Sequence, residues 1–501
     1  SDRPGAREIS NAIADQDSGT ARNNRFLSDL VWGWGQFIDH DIVDTAKGTE
    51  SFDIALPKND ELKSRFPNAS AFDFNRSKGV NDSSGVRQQQ NLTTAFIDAS
   101  AVYGDNEKDA NALRSFSGGK LKLSNGLMPI VNGQRGPSFQ AGDARAAENP
   151  LLASLHTVWV REHNRLADEI SAADSSLNDE QIYQKARTTV MALIQNITYN
   201  EFLPALLGDG QLKDYEGYYA STDAGINTEF ATAAFRIGHT MISDSMARTD
   251  ANGNSLGDVA LKDAFFNTGL LKGQGGIDAF LRGASEQKAE EIDTQVVDGL
   301  RNFLFASNSR SRSSSTSAQT LSAHEAGASR LSSYNSSTVP ALDLFSLNVQ
   351  RGRDHGIADY NTLRASVGLK RARSFSDITS DRELASELSK LYGGDISKVD
   401  AFVGGLAEDK LEGSSTGALF ARVISRQFEA IREGDRFWFE NKDNGLFSDS
   451  EIAAISGTTL ADVIQRNTDI TGLSSNVFFT GVSADDPVTQ IKGTSGDDYL
   501  D

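Results

Sequence analysis

The sequence predicts a mainly α-helical protein built as one large domain. Three long segments place apolar residues at intervals of three and four, the spacing of helices buried on one side, whereas strand-like alternation is sparse. The segments are LLASLHTVWVREHNRLADEISAA, QIYQKARTTVMALIQNITYNEFLPALL and TGALFARVISRQFEAIREGDRFWF. A length of 501 residues alone would suggest about three domains, but we expect a single helical domain over residues 1–485.

Composition excludes several classes of function. The net charge of -20 argues against a general nucleic-acid or anionic-membrane binder, because both partners would be repelled, and no apolar run is long enough to span a bilayer. The absence of cysteine excludes disulfides, thiolate-ligated metals and the CxxCH haem attachment. The six histidines are His40, His156, His163, His239, His324 and His355. Any metal centre must therefore use nitrogen or oxygen ligands.

An unusual polar group interrupts the apolar pattern of RFLSDLVWGWGQFIDHDIVD. From Phe26 the spacing predicts a buried helix, yet Gln36, Asp39 and His40 share one of its faces. A solvated face with one structural histidine is the simple interpretation. An amide, a carboxylate and an imidazole beside tryptophan and phenylalanine are better explained by a polar cavity that carries chemistry.

The stretch WGQFIDHDI resembles the distal helix of animal-type haem peroxidases, in the peroxidase-cyclooxygenase superfamily that includes myeloperoxidase and lactoperoxidase. Six further segments resemble successive family motifs in the same order, so the likeness covers nearly the whole chain. They are LTTAFIDASAVYG, AGDARAAENP, LHTVWVREHNRLADEI, AAFRIGHTMI, LNVQRGRDHGIADYNTLR and FARVISRQFEAIREGDRFWFEN. The resemblance implies a helical fold that holds haem between a distal and a proximal helix, and the cysteine-free chain suggests a bacterial member.

Peroxide cleavage needs a base that moves a proton between the two oxygens, and positive charge near the leaving oxygen. The resemblance implies that His40 is this acid-base group and that Arg145 stabilises charge. Gln36 would orient water, peroxide or halide. For Arg145 taken alone, a surface salt bridge is the alternative.

The resemblance places the iron ligand at His239, in the apolar helix AAFRIGHTM. Asn348 would accept a hydrogen bond from the other ring nitrogen of this ligand and fix its orientation. Arg236 and Arg351 would each hold one haem propionate. A lone helical histidine would otherwise be structural.

Two acids match the family positions that form ester bonds with haem methyl groups. These are Asp39 and Glu148, so the expected cofactor is a haem b derivative attached covalently. An acid at a helix N-terminus is the alternative interpretation of Glu148.

The resemblance also implies a calcium site beside the distal histidine. Its ligands would be Asp41, Thr94, the Phe96 carbonyl, Asp98 and Ser100, a set of carboxylate, hydroxyl and carbonyl oxygens of the kind that calcium prefers. A strand or turn with alternating small polar groups is the alternative.

The remaining histidines are interpreted as structural. His156 and His163 lie seven residues apart on one face, but no acid or third histidine completes a metal site, and Arg161 and Glu162 are taken as structural too. His355 is expected in a buried polar network.

Three segments are predicted to lie outside the helical framework. RTDANGNSLGD lacks the glycine placement and final glutamate of an EF-hand and is interpreted as a hairpin turn. The Ser/Arg-rich residues 307–317 predict a surface loop, with His324 in a loop-like region. Residues 486–501 are expected to form a linker and the start, GTSGDDYLD, of an RTX-like calcium repeat, which suggests secretion by a type I route; an ordinary turn is the alternative.

The predicted function is a haem peroxidase that reduces hydrogen peroxide and oxidises small anions or aromatic donors. Asn149 stands where myeloperoxidase has a methionine that forms a sulfonium bond to haem, so bromide, iodide and thiocyanate are favoured over chloride. A fatty-acid dioxygenase is the main alternative, but Arg236 occupies the position of its radical-bearing tyrosine. A calcium-dependent structural or adhesive module without turnover is a third hypothesis.

Overall fold

The computed structural model describes residues 3–16, 21–133, 136–304 and 338–481, and helices dominate these ranges. Helices α1 to α10 span Ala6–Ile13, Leu30–Ile42, Ser100–Tyr103, Glu107–Leu113, Pro150–Ala173, Asp179–Ile197, Leu203–Leu207, Thr228–Thr232, Gly238–Met241 and Leu261–Ala264. Helices α11 to α19 span Gly276–Glu286, Asp298–Arg301, Leu344–Asp354, Tyr360–Ser366, Arg382–Leu391, Ala401–Ala407, Ala418–Glu433, Asp449–Ser456 and Leu460–Asn467. The prediction of a mainly α-helical fold is confirmed.

Strands play a minor part, as the sparse alternation predicts. Within the described ranges they pair only as two-stranded antiparallel ladders. Strands β1 to β10 span Lys47–Ser51, Ile54–Ala55, Ala71–Phe72, Asn75–Ser77, Gly79–Asn81, Arg87–Gln89, Ile130–Gly133, Gly136–Phe139, Ser245–Met246 and Val259–Ala260. Eight of these short strands lie in the chain between α2 and α5, so they form accessory hairpins rather than a central sheet.

Helix α2 is buried on nearly all sides and packs against the longest helix, α5. The Trp34 ring lies 6.0 Å from the ring of Trp159. A methyl group added at Gly33 would sit 2.8 Å from the side chain of Leu151, so the absence of a side chain there permits the close approach of the two helices. This packing fixes the position of every polar side chain that α2 carries.

The apolar pattern of α2 does not extend back to Phe26, which corrects the sequence-based expectation. The helix begins at Leu30, and Phe26 is 53% exposed with a φ of 62°. A left-handed backbone ends helical periodicity, and the ring instead lies under the Lys288 ammonium at 3.6 Å.

The predicted helix around His239 is shorter than expected. A 3₁₀ turn at Ala234–Arg236 precedes the single turn α9, and α13 packs nearby in the core. The Asp343 carboxylate caps α13 by accepting from the Ser346 backbone N–H at 3.0 Å. The same carboxylate accepts from the fully buried Arg7 guanidinium at 2.8 Å, so an N-terminal residue helps to hold the helix that carries Asn348.

The three long helical patterns form α5, α6 and α17, and the second pattern continues through a π-helical stretch at Thr198–Phe202 into α7. Helix α17 ends at Glu433, six residues before Phe439, the last residue of the predicted segment. The stretch RTDANGNSLGD forms the predicted hairpin turn, closed by a bridge between Thr249 and Ser255, and the Asp250 carboxylate accepts from the Asn252 backbone N–H at 2.8 Å.

The histidines of α5 lie in the core. His163 contacts the Tyr103 hydroxyl at 2.7 Å and the Gly119 carbonyl at 2.8 Å. Burial lowers the pKa of both His156 and His163 to about 4, so both are neutral at pH 7. The ring of His355 contacts the Ser77 hydroxyl at 2.8 Å, in the polar network expected for it.

The Ser/Arg-rich segment 307–317, His324 and the repeat-like residues 486–501 lie outside the described residues, so the predictions made for them remain predictions. In the described ranges, every helix is too short or too polar to cross a membrane.

Candidate active site

A cavity with about 930 Å³ of empty space, its mouth included, lies between α2 and the segment 235–242. Most of the lining is apolar and includes Trp32, Phe202, Phe235, Ile237, Leu300 and Leu344. The two sides are called here the α2 wall, which comprises residues 31–39 and 148–149, and the α9 wall, which comprises residues 235–242.

The polar lining comes from residues that the sequence predicted. Gln36, Asp39 and Glu148 lie on the α2 wall, and Arg236 and His239 lie on the α9 wall. The Gln36 amide nitrogen donates to the Glu148 carboxylate at 2.9 Å, which joins α2 to the N-terminal end of α5. The structure thus brings together side chains more than a hundred residues apart.

His40 lies directly behind the α2 wall and is buried. Its Nε2 is 3.8 Å from a Glu148 oxygen and its Nδ1 is 3.9 Å from an Asp143 oxygen. The imidazole therefore lies between two carboxylates, one of which lines the cavity.

Arg145 is held by Asp143, a residue that the sequence analysis missed. The Asp143 carboxylate accepts from Nε of Arg145 at 3.0 Å and from Nη2 at 2.8 Å, and Nη2 also donates to the carbonyls of His40 and Val43. Arg145 is thereby tied to the C-terminal end of α2. Nη1 makes no hydrogen bond within the described part of the chain, and Arg145 is buried behind the residues that line the cavity.

The electrostatics of the Asp143–Arg145 pair favour the charged form of both side chains. Burial raises the pKa of Asp143, but the charges of Arg145 and His40 outweigh it and hold the pKa well below its usual range. Burial lowers the pKa of Arg145, and the charge of Asp143 more than reverses this effect. The spacing in GDAR, an acid two residues before the arginine, was the available sequence signal.

On the α9 wall, the structure places Asn348 of α13 against His239, with 2.8 Å between Asn348 Nδ2 and His239 Nδ1. The pairing is the one that the sequence predicted, but the contacting atom is the amide nitrogen and not the predicted oxygen. The two ends of an amide have similar size, and a half-turn brings the oxygen to the same place. An imidazole that binds a metal through Nε2 carries its proton on Nδ1 and requires that second orientation.

The two arginines predicted for propionates lie at different depths. Arg236 lines the cavity, and its guanidinium is 3.7 Å from the Asp39 carboxylate across the gap. Arg351 lies behind it, donates to Asp354 at 3.0 Å and stacks on the Phe74 ring at 4.2 Å. Burial lowers the pKa of Arg351 to about 10, Asp354 opposes this effect, and Arg236 adds to it. Positive charge is therefore concentrated on this side.

The predicted calcium ligands lie next to the end of α2. The Asp41 carboxylate accepts from the backbone N–H groups of Ala99 at 3.2 Å and Ala101 at 2.8 Å. The Ser100 hydroxyl donates to the Asp41 carbonyl at 3.1 Å, and the Ser100 N–H donates to Asp98 at 3.0 Å. The end of helix α2 is thus joined to the N-terminal end of α3.

Burial raises the pKa of both Asp41 and Asp98, and the charge of Asp98 raises that of Asp41 further. Two buried carboxylates that repel each other, with hydroxyl and carbonyl oxygens beside them, suit a divalent cation. Within the described ranges, no three or more histidine or acidic side chains are grouped so that they could hold a metal ion. The predicted calcium site differs from such a group, because only two of its five ligands are carboxylates and the others are hydroxyl and carbonyl oxygens.

The helical framework and the largely apolar cavity, with a histidine on one wall and an amide and two carboxylates on the other, suit an enzyme that binds a cofactor between two walls. Comparison with known proteins agrees. The family model for animal haem peroxidase matches residues 1–337 and 329–478. Peroxinectin A from Dictyostelium discoideum is 33% identical over 94% of this chain and 87% of its own length.

Two solved structures share the fold. Peroxidase A from Dictyostelium discoideum matches with a TM-score of 0.81 and 31% identity, over 95% of this chain and 91% of that one. The fatty acid alpha-dioxygenase from Oryza sativa matches with a TM-score of 0.78 over 95% of this chain and 80% of that one, but at 22% identity this likeness shows the fold alone. The chain belongs to the animal haem peroxidase family and is an enzyme of the haem peroxidase class.

The residues present in the cavity fit a haem group. His239 offers an imidazole ligand on the α9 wall, and the position of Gly238 opens onto empty space, so no side chain crowds a ring there. Arg236 places a positive charge in the lining that would suit propionates, and the apolar lining suits the porphyrin faces.

Proposed function

We propose that this peroxidase reduces hydrogen peroxide and oxidises small anions, with bromide, iodide and thiocyanate favoured over chloride, or aromatic one-electron donors. The observation that carries the proposal is the cavity with His239 on one wall and the Gln36 and Glu148 pair on the other, with His40 directly behind. Haem bound between these walls would supply the redox chemistry of peroxide cleavage.

The α2 wall would move the proton and stabilise charge. His40 would take a proton from one peroxide oxygen and return it to the leaving oxygen, through the Nε2 atom that is 3.8 Å from the wall residue Glu148. Arg145 would stabilise the leaving oxygen through Nη1, while Asp143 holds the rest of the guanidinium in place. Gln36 lines the cavity and would orient water, peroxide or the anion.

On the α9 wall, His239 would bind the iron and Asn348 would fix its ring. Arg236 and Arg351 would neutralise the propionates, Arg236 by direct contact and Arg351 from behind it.

Asp39 and Glu148 would attach haem through ester bonds, since both carboxylates line the α2 wall. Arg236 lies 3.7 Å from Asp39, and an ester at Asp39 would remove the negative charge that this guanidinium faces. Ester formation would therefore make Arg236 available to a propionate.

Calcium would bind Asp41, Asp98, Thr94, Ser100 and the Phe96 carbonyl. Asp41 is adjacent to His40, and its carboxylate is already held by the backbone of residues 99 and 101. A cation there would relieve the repulsion of the two carboxylates and fix the end of α2 beside the acid-base residue.

Donor preference follows from Asn149, because an amide cannot form the electron-withdrawing sulfonium bond that a methionine forms. The haem would then be a weaker oxidant, and chloride is the halide that is hardest to oxidise. A dioxygenase is disfavoured because Arg236 stands three residues before His239, where that activity requires a tyrosine.

The iron ligand is tested by His239→Ala. This variant should lose the strong Soret band or hold haem only loosely, because the cavity loses its imidazole ligand. As a matched control, His40→Ala should keep haem while reacting with peroxide at least about a hundredfold more slowly, the usual loss for a general acid-base group. An unchanged spectrum in His239→Ala would rule out the assignment.

Covalent attachment is tested by extraction with acidified organic solvent after treatment with peroxide. Haem should stay with the parent protein and become extractable from the double variant Asp39→Ala/Glu148→Ala. The control is Asp29→Asn, which changes a buried acid at the other end of α2 and should retain haem. If haem leaves the parent protein readily after turnover, both ester assignments are wrong.

Calcium binding is tested by chelation. A chelator should lower the Tm and haem occupancy of the parent protein, whereas Asp98→Asn should start lower and respond little to the chelator. Asp105→Asn, an exposed acid shortly after α3, should behave like the parent. A parent protein whose Tm is indifferent to chelation and to added calcium contradicts the calcium site.

Donor preference is tested by steady-state turnover of peroxide with chloride, bromide, iodide, thiocyanate and a phenol at neutral pH. Iodide, thiocyanate and bromide should turn over well and chloride poorly. Chlorination as efficient as bromination at neutral pH would show that the argument from Asn149 is wrong.

A further inference from the structure

The side chain of Asn149 makes two hydrogen bonds with opposite ends of its amide. Its Oδ1 accepts from the Leu152 backbone N–H at 2.9 Å, which makes it the N-cap of α5. Its Nδ2 donates to Gln36 Oε1 at 2.8 Å. Asn149 is 4% exposed and lines the cavity, so this chain has placed a helix cap at the edge of the site.

These bonds fix the orientation of the Asn149 amide first, and the Asn149 amide then orients the Gln36 amide. A backbone N–H can only donate, so the Asn149 oxygen must face Leu152 and its NH₂ must face Gln36. The NH₂ can only donate in turn, so the Gln36 oxygen must face Asn149. The Gln36 nitrogen is then left for Glu148, to which it donates at 2.9 Å. The Glu148 carboxylate can only accept and requires the same orientation, so the contacts at the two ends of the Gln36 amide together determine which end points away from Asn149.

The Gln36 nitrogen carries two hydrogens, and only one is used by Glu148. Gln36 lines the cavity and makes no other hydrogen bond within the described ranges, so the second N–H is available to a ligand there. An N–H donor binds anions, whereas the reversed amide would present an oxygen that repels them. An ester at Glu148 would keep a carbonyl oxygen as acceptor, so Gln36 could still donate to Glu148 after haem is attached covalently.

We propose that Asn149 is a positioning residue for anion binding: it locks the Gln36 amide with its N–H towards the cavity and so selects small anions as donors. This inference rests on the proposed function, because it assigns the residue that prepares Gln36 for its anionic substrate. Asn149 stands where myeloperoxidase has a methionine that tunes the haem, and in this chain the residue at that position acts on anion binding instead.

The test compares bromide affinity between haem-loaded variants that all keep a helix cap. Asn149→Thr keeps a cap oxygen and adds no charge but has no NH₂ for Gln36. Its Kd for bromide, measured by the change in the Soret band, should rise roughly tenfold or more, as expected when an anion loses a hydrogen bond. Asn149→Asp keeps the cap but presents only acceptor oxygens to Gln36, and it should weaken bromide binding further.

Two controls separate this role from a structural one. Asn178→Thr makes the same change at the N-cap of α6, away from the cavity, and should leave the bromide Kd unchanged. Imidazole is a neutral haem ligand, and its Kd should stay within about twofold in Asn149→Thr, whereas a collapsed cavity would weaken both ligands.

The outcomes distinguish the inference from the proposed function. If the parent protein reduces peroxide and binds bromide but Asn149→Thr and Asn149→Asp bind bromide as tightly as the parent, the inference is wrong and the function stands. Equal loss of bromide and imidazole binding in both variants also overturns it, because Asn149 is then only structural. If the parent protein neither reduces peroxide nor binds bromide, the proposed function fails and the inference fails with it.

Discussion

Burial of the polar face of α2 is the constraint on which the active site depends. Asp39 and His40 are 5% and 1% exposed in a helix that packs against aromatic side chains, and such groups are costly to bury unless charges and hydrogen bonds compensate. For His40 the compensation comes from the residues just before α5, since Glu148 and Asp143 lie on either side of its ring. For Asp39 it comes from Arg236 of the α9 wall, whose guanidinium lies 3.7 Å away. Residues 143–149 therefore help to stabilise the buried polar face of α2.

The same segment links structure to chemistry in three ways. Asp143 aligns Arg145 with the end of α2, Glu148 binds Gln36, and Asn149 both begins α5 and sets the direction of the Gln36 amide. On the opposite side of the cavity, a separate network from Arg7 through Asp343 supports α13, which carries Asn348. Each wall thus has its own hydrogen-bond network behind it, and the ion pair between Asp39 and Arg236 links the two walls across the cavity.

Local patterns in the sequence were sufficient to predict the long helices, because apolar spacing reports directly on the buried face of a helix. They failed between Phe26 and Leu30, because Phe26 has a left-handed backbone and Leu27 and Ser28 pair with distant segments of the chain, so the helix begins only at Leu30. The motif resemblance identified the residues of both walls, but not the role of Asp143, since an acid near an arginine is common on protein surfaces. Nor could sequence show that Asn149 contacts Gln36, because that contact joins two helices and depends on how α2 meets α5.

One haem would lie between the two walls with His239 as its protein ligand. The most direct measurement is resonance Raman spectroscopy of the reduced enzyme, together with the haem content per chain. We predict one haem per chain and an iron–histidine stretching band that shifts when histidine is labelled with ¹⁵N. Haem content far below one per chain after reconstitution, or a band that is insensitive to the histidine label, would contradict it.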